Sequence, residues 1–215
     1  MKKPYIIALC GIDGSGKTNQ AELLSKYLQE NKYSSVITKA KMINYEILLK
    51  LSGKLFFDRY NYHPGIPPLL MNTVQACDVV HHFSQVEKNY SNYDFIICDR
   101  HKLCYSAYAR AFDTPMHWVD NIYSLIHEPD LIFYFMIEPN IAYNRLQMRE
   151  DKPIRTDENL MLLREAYKHY EKMLESKSNV IYVNAENSIL ATHHQIINSF
   201  GDYINLKYGI RLEMG

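Results

Sequence analysis

The segment GIDGSGKT, from Gly11 to Thr18, has residue types and spacing that suit phosphate chemistry. It fits the pattern Gly-x-x-x-x-Gly-Lys-Ser/Thr, which forms a phosphate-binding loop where it follows a strand and opens a helix. In such a loop backbone N–H groups turn inward, and the helix N-terminus adds a partial positive charge. We therefore predict an ATP site that contains Gly11, Asp13, Gly14, Ser15, Gly16, Lys17 and Thr18.

Three side chains of this segment have predicted chemical roles. Lys17 is expected to reach the β- and γ-phosphates, and the Thr18 hydroxyl is expected to ligate Mg²⁺. Asp13 lies inside the loop, where its carboxylate either contacts the acceptor or a phosphate, or only holds the turn by hydrogen bonding. The sequence leaves both roles of Asp13 open.

An acidic and a basic residue, Asp99 and Arg100, follow a short apolar run. Ligands of open α/β folds collect at the carboxyl ends of the strands. Asp99 is therefore predicted to orient the metal or its waters, and Arg100 to grip a phosphate with its planar fork of donors. The alternative is a structural salt bridge at the end of a strand.

Three arginines accompany a densely charged stretch, REDKPIRTD, over residues 149–157. Arg145 and Arg149 are four residues apart and would share one face of a helix, and Arg155 follows them. Arginines that converge on a transferring phosphoryl group stabilise its negative charge. We predict a short lid at about residues 149–157 that closes and excludes water, with a solvated charged helix as the alternative.

Apolar and amphipathic segments alternate along the chain, which is typical of strand and helix units that build a parallel sheet. Helices are predicted over Lys17 to Glu30, over Leu69 to Lys88 and around Trp118 to Ile126. At 215 residues, a single α/β domain spanning residues 1–215 is expected. The predicted strands are Tyr5 to Cys10, Ser35 to Lys39, Phe95 to Cys98, Leu131 to Ile137 and Val180 to Val183.

The overall charge limits the classes of partner. Lysine and arginine together number 24, as do aspartate and glutamate, so the formal net charge is zero. This balance argues against binding to a nucleic acid polymer or an anionic membrane and favours a small-molecule site. The expected partners are ATP and a small phosphate acceptor. The apolar run before the glycine loop is too short for a signal peptide or a membrane span. The four cysteines show no metal-binding spacing, so reduced thiols and a cytoplasmic location are expected.

Several segments together resemble the thymidylate kinase family of nucleoside monophosphate kinases. The glycine loop with Asp13 resembles the family's P-loop. DRHKLCYSAY, from Asp99, and EPDLIFYFMIEPNIAYNRLQMR, from Glu128, are similar to the family's later motifs in the same order. REDKPIRTDENLMLLREAY resembles the family's lid and the helix behind it, with Arg155 at the lid arginine.

This resemblance implies a P-loop kinase fold with a five-stranded parallel sheet and a short lid, usually assembled as a homodimer. It also implies that ATP and Mg²⁺ support phosphoryl transfer to a deoxynucleoside monophosphate. Arg100 would hold the acceptor phosphate. The donor and lid side would carry Arg145, Arg149 and Arg155, and the residues with catalytic roles would be Lys17, Asp13, Arg100, Arg149 and Arg155.

The departures from the family pattern lie on the acceptor side. Gln75 stands where the family has an aromatic residue that stacks on thymine, and Val79 where an arginine reads the base. Cys104 stands at a position that faces the nucleoside in the family, and Lys39-Ala40-Lys41 replaces Arg-Glu-Pro-Gly after the second strand. The predicted acceptor-binding set is therefore Asp99, Arg100, Gln75, Val79 and Cys104. Introducing arginine at Val79 is expected to shift base preference towards thymine.

Three functions agree with this pattern. The first is a thymidylate-kinase-like enzyme acting on dTMP or a related monophosphate. The second is a kinase of the same fold that phosphorylates a nucleoside or another small metabolite. The third is a nucleotide-binding switch without phosphoryl transfer, although the Asn-Lys-x-Asp signature of GTPases does not occur in the sequence.

Overall fold

Five strands and eight helices alternate along the described chain, which covers residues 3–56, 66–150 and 158–208 of a computed structural model. The strands are β1 Tyr5–Cys10, β2 Ser35–Thr38, β3 Phe95–Asp99, β4 Leu131–Met136 and β5 Val180–Asn184. The helices are α1 Lys17–Glu30, α2 Ile43–Phe56, α3 Pro68–Asn89, α4 Lys102–Ala111, α5 Met116–Tyr123, α6 Pro139–Gln147, α7 Leu160–Leu174 and α8 Ile189–Tyr208.

The strands form one parallel sheet in the order β2-β3-β1-β4-β5. In this register Leu9 of β1 lies opposite Asp99 of β3 on one side and Phe133 of β4 on the other. Because parallel strands end at the same edge, the loops after β1 and β3 emerge side by side. The predicted α/β class with a five-stranded parallel sheet is confirmed.

The middle strands are almost entirely apolar, as expected where helices cover both faces of a parallel sheet. Ile7, Leu9, Phe133 and Phe135 have no exposed surface. Among the helices, α1 contacts α8, and α4 contacts both α3 and α7. Burying this apolar surface is the main source of stability for the scaffold that carries the loops.

Most predicted boundaries agree with the structure, and the differences have local causes. The predicted bounds of α1 are confirmed. β2 ends one residue earlier than expected, because Thr38 is the last residue that pairs with β3. The helix predicted to reach Ile126 ends at Tyr123, and a turn follows in which Lys102 Nζ donates to the Ile126 carbonyl oxygen at 2.6 Å.

Candidate active site

The loop between β1 and α1 takes backbone conformations that only glycine adopts readily. Gly11, Gly14 and Gly16 have φ values of 148°, 85° and 86°. A Cβ atom on Gly14 would also lie 2.4 Å from the Ala142 carbonyl oxygen, whereas one on Gly16 would meet no atom within 4 Å. No side chain in the described residues caps the N-terminus of α1, so its first N–H groups are available to an anion.

Lys17 lies folded over this loop and is nearly completely buried. Its Nζ donates to the Ile12 carbonyl oxygen at 2.7 Å and to Ser15 Oγ at 3.1 Å. Burial lowers the pKa of Lys17, and the negative charge of Asp99 is among the influences that oppose the shift. A phosphate group bound in the loop would give this ammonium group a stronger acceptor than a neutral carbonyl.

The start of α1 and the end of β3 meet at one carboxylate. Asp99 Oδ2 accepts a hydrogen bond from Thr18 Oγ1 at 2.9 Å. The same oxygen forms an ion pair with Lys39 Nζ at 2.8 Å. Asp99 Oδ1 is buried and has no hydrogen-bond partner among the described residues. A hydroxyl and a carboxylate with an unsatisfied oxygen fit the oxygen ligands that Mg²⁺ takes from proteins. Thr18 and Asp99 therefore suit the metal role predicted for them.

Asp13 and Arg100 form a largely buried ion pair between the glycine loop and the segment after β3. The Asp13 N–H also donates to Tyr108 Oη at 2.9 Å, and the Arg100 guanidinium lies 5.8 Å from the centre of the Tyr108 ring. Arg100 has a φ of 83°, which is unfavourable for a non-glycine residue by about 1–3 kcal/mol. Strain of this kind persists where the surroundings hold a side chain in one orientation.

A cavity of about 350 Å³ opens beside this ion pair. Its volume lies at the lower end of the range for small-molecule sites. Its polar residues include Asp13, Lys39 and Arg100, which connect it directly to the phosphate-binding loop. The remaining lining residues come from α2, α3, α4 and the segment after β2: Ala40, Met42, Tyr45, Glu46, Leu49, Gln75, Tyr105, Tyr108 and Phe112.

The predicted acceptor residues separate into two groups in the structure. Arg100 and Gln75 line the cavity. Asp99 forms an ion pair with Lys39, which also lines it. Val79 has no exposed surface and packs in a core cluster with Tyr105. Cys104 is also fully buried, with its Sγ 3.8 Å from the Leu9 carbonyl oxygen. The structure therefore does not bring Val79 and Cys104 to the cavity wall.

The arginines of the predicted lid side lie in different surroundings. Arg145 is on α6 and donates to the carbonyl oxygens of Ala185 and Glu186 at 2.7 and 3.1 Å. Arg149 lies beyond the end of α6, so the two do not share a helical face. Both terminal nitrogens of Arg149 bond to Glu158, at 3.2 and 3.0 Å. Arg155 and residues 151–157 of the predicted lid lie outside the described residues.

Several cavity residues were not singled out as binding residues from the sequence. Tyr45, Glu46 and Leu49 belong to α2, a helix for which no prediction was made. Phe112 follows α4, and together with Tyr105 and Tyr108 it forms an i, i+3, i+7 series. That aromatic spacing on one helical face, next to Asp99 and Arg100, was a detectable signal.

Two features are absent from the part of the chain that the structure describes. It contains no cluster of three or more histidine, cysteine, aspartate or glutamate side chains that would hold a metal ion. Within the same residues, no helix is both long enough and apolar enough to cross a membrane.

Comparison with known proteins gives a consistent result. A family model described as thymidylate kinase matches residues 9–196. A probable thymidylate kinase from Pyrococcus abyssi is 29% identical over 205 residues, which cover 90% of this chain and 94% of that protein. One from Methanococcus aeolicus is 29% identical, with 89% and 93% covered. One from Sulfolobus acidocaldarius is 25% identical, with 86% and 90% covered.

Proposed function

The chain belongs to the thymidylate kinase family and is an ATP-dependent nucleotide kinase, and from this premise we propose that dTMP is its acceptor and Mg²⁺ its metal ion. The other two functions that the sequence allowed, a metabolite kinase and a switch protein, are not favoured by these relatives. The observation that carries the proposal is the Asp13–Arg100 ion pair, which joins the phosphate-binding loop to the cavity.

In the proposed reaction an oxygen of the acceptor phosphate attacks the γ-phosphorus of ATP. A new P–O bond forms, the bond to the oxygen bridging the β- and γ-phosphates breaks, and ADP leaves. Such a transition state needs positioning and charge neutralisation rather than covalent help. Lys17 Nζ would give up its hydrogen bonds to the Ile12 carbonyl oxygen and Ser15 Oγ and bind the β- and γ-phosphates instead. Arg100 would hold the acceptor phosphate.

Thr18 and Asp99 are the residues that would hold Mg²⁺ in this proposal. Bound there, the ion would neutralise charge on the β- and γ-phosphates. Lys39 now shares the same Asp99 oxygen with Thr18. We propose that Lys39 turns from Asp99 towards the acceptor phosphate in the loaded site, because it already lines the cavity.

The two described arginines of the donor side support different roles. Arg145 is held by two backbone carbonyls next to the end of β5, which supports a fixed structural role for it on the proposed donor side. Arg149 is paired with the buried carboxylate of Glu158. To reach a phosphate, Arg149 would have to leave that carboxylate, so we propose that closure of the lid breaks the Arg149–Glu158 pair. We also propose that Arg155, the predicted lid arginine, contacts a phosphate.

An assay of ADP release with a panel of acceptors tests the proposal. We expect dTMP to give the highest kcat/KM among dTMP, dUMP, dCMP, dAMP and dGMP, with little ATP turnover when no acceptor is present. A higher value for another monophosphate would overturn dTMP as the acceptor. ADP release that no monophosphate stimulates would overturn the acceptor class, and mass spectrometry of the products would show what is phosphorylated instead.

We also propose that the protein is a cytoplasmic homodimer. An apolar stripe on α2, formed by Ile43, Ile47 and Leu51, is about half exposed in the single chain, and a second copy would cover it. All four cysteines are free thiols, and Cys77 is exposed, which agrees with a reducing compartment. Light scattering that gives the mass of a monomer would contradict the dimer, and recovery outside the cytoplasmic fraction would contradict the location.

A further inference from the structure

The acceptor cavity is charged where it meets the phosphate-binding loop, and this part is called its charged end. Asp13, Lys39 and Arg100 lie at the charged end, where they contact the phosphate-binding loop or Asp99. Met42, Leu49 and Phe112 contribute apolar surface to the rest of the lining. The acidic residue Glu46 also lines this part. A ligand that fills the cavity therefore carries a phosphate and a group that packs against apolar surface, as a nucleoside monophosphate does.

Helix α4 and the residue that follows it contribute side chains to both the charged and the apolar parts of the lining. The helix begins at Lys102, two residues after Arg100. Its Tyr108 hydroxyl accepts a hydrogen bond from the Asp13 N–H at the charged end. Phe112 lies four residues further along, which corresponds to about 6 Å at the rise of an α-helix. It also shares the helical face of Tyr108. Along the helix axis, Phe112 is therefore farther from the Tyr108–Asp13 contact, on the apolar part of the lining.

The end of α4 is fixed against α3. The Phe112 N–H donates to the Tyr108 carbonyl oxygen at 3.1 Å, so Phe112 continues the last turn. Two residues later Thr114 Oγ1 accepts a hydrogen bond at 2.8 Å from Asn72, which is fully buried on α3. Gln75 is three residues after Asn72 and so lies on the same face of α3. Gln75 and Phe112 both line the cavity, and this contact joins the segments that carry them.

We propose that Phe112 is the stacking platform for the nucleobase and that the Gln75 amide bonds to the edge of the base. The inference rests on the proposed function, because it assumes a nucleoside monophosphate as acceptor. It explains how the chain can bind a base although α3 has glutamine where the family has a stacking aromatic residue. An amide presents donors and an acceptor, and thymine offers a matching acceptor and N–H donor on one edge.

The chemistry of the two groups separates their contributions. Stacking depends on the π-face of the ring and tolerates any base, whereas the amide distinguishes one base edge from another. Phe112 should therefore set the affinity for nucleotides over sugar phosphates. Gln75 should set the preference among the bases.

The experiment compares a ligand that has a base with one that lacks it. Binding of dTMP and of 2-deoxyribose 5-phosphate is measured by calorimetry for the wild type, Phe112→Leu and Phe112→Tyr. We expect Phe112→Leu to weaken dTMP binding about tenfold, in line with the loss of base stacking, and to leave the affinity for the sugar phosphate unchanged. Phe112→Tyr, which retains an aromatic ring, should bind dTMP like the wild type.

Trp118→Leu is the matched control, because Trp118 is an exposed aromatic residue on α5 that does not line the cavity. ATP affinity and melting temperature confirm that each variant is folded. Unchanged dTMP affinity in Phe112→Leu would overturn the proposal. An equal loss for dTMP and the sugar phosphate would also overturn it, because Phe112 would then only shape the cavity.

The acceptor panel keeps the two proposals distinguishable. If the wild type binds another base-bearing monophosphate instead of dTMP, the choice of dTMP fails, and the Phe112 comparison is decided with that ligand. If no base-bearing monophosphate binds the wild type more tightly than the sugar phosphate does, the base platform itself is overturned.

Discussion

The phosphate-binding loop and the acceptor cavity share Asp13 but are built in different ways. The loop is shaped by backbone conformation, with three glycines at positive φ and the N-terminus of α1 open to an anion. The cavity is shaped by side chains from three helices and the segment after β2. Phosphate recognition of this type tolerates few substitutions, whereas side chains around a cavity change individually without disturbing the loop.

The two regions also differ in how far apart their parts lie in the sequence. The loop is eight consecutive residues, and its partner Asp99 is placed by the register of two adjacent strands. The cavity combines Tyr45, Gln75 and Phe112, whose proximity depends on how α2, α3 and α4 pack. Variation on the acceptor side is therefore compatible with conserved chemistry on the phosphate side.

The largest expected effect tests the phosphate side. Lys17→Ala removes the ammonium group that would neutralise the transferring phosphoryl group, and kcat should fall about 10³-fold. Lys26→Ala is the control, because Lys26 is an exposed lysine on the same helix. Steady-state ADP release measures both. If Lys17→Ala retained more than a tenth of the wild-type kcat, the loop would not work as described.

The next effect tests whether Val79 on α3 lies in the core or faces the acceptor cavity. Val79 is fully buried, so Val79→Arg would place a charge in the core and lower the free energy of unfolding by about 3 kcal/mol or more. This differs from the gain in thymine preference expected from the sequence alone. Gln75→Arg, one turn away on the cavity wall, is the matched control and should change stability little. Urea denaturation measures the difference. Wild-type stability with tighter dTMP binding in Val79→Arg would show that Val79 faces the acceptor.

The smallest expected effect lies where the two regions meet. Lys39→Met removes a half-exposed cation from the cavity, and kcat/KM for dTMP should fall about tenfold. The affinity for thymidine, which has no phosphate, should stay the same. Lys41→Met is the control, since Lys41 is exposed and does not line the cavity. A parallel loss of thymidine affinity would mean that Lys39 shapes the cavity rather than contacting the phosphate.

The sequence was most informative where the signal is local. The glycine loop, the exact span of α1 and the order of the five strands along the chain follow from spacing and hydrophobic periodicity, and the structure confirms the α/β fold. Asp99 and Arg100 were placed at the functional edge because they end a buried strand. Arg145 and Arg149 were assigned to one helical face, but α6 ends at Gln147, and Arg149 instead pairs with Glu158.

Positions on the acceptor side were harder to predict because helical periodicity does not show which face of a helix meets a cavity. Gln75 and Val79 are one turn apart on α3, yet one lines the cavity and the other lies in the core. Cys104 on α4 is likewise fully buried and does not line the cavity. Tyr45 reaches the cavity through the packing of α2, which no short motif encodes, whereas the spacing of Phe112 with Tyr105 and Tyr108 was a signal in the sequence.

The amino-acid sequence by itself determined a phosphate-binding loop on a parallel α/β sheet, because that loop needs only consecutive residues between a strand and a helix. Tertiary structure alone decided which side chains face the acceptor. It formed the Asp13–Arg100 and Lys39–Asp99 pairs and placed Gln75 and Phe112 in the lining of one cavity. These contacts join residues from distant parts of the chain, and their geometry depends on how the helices pack across the whole core.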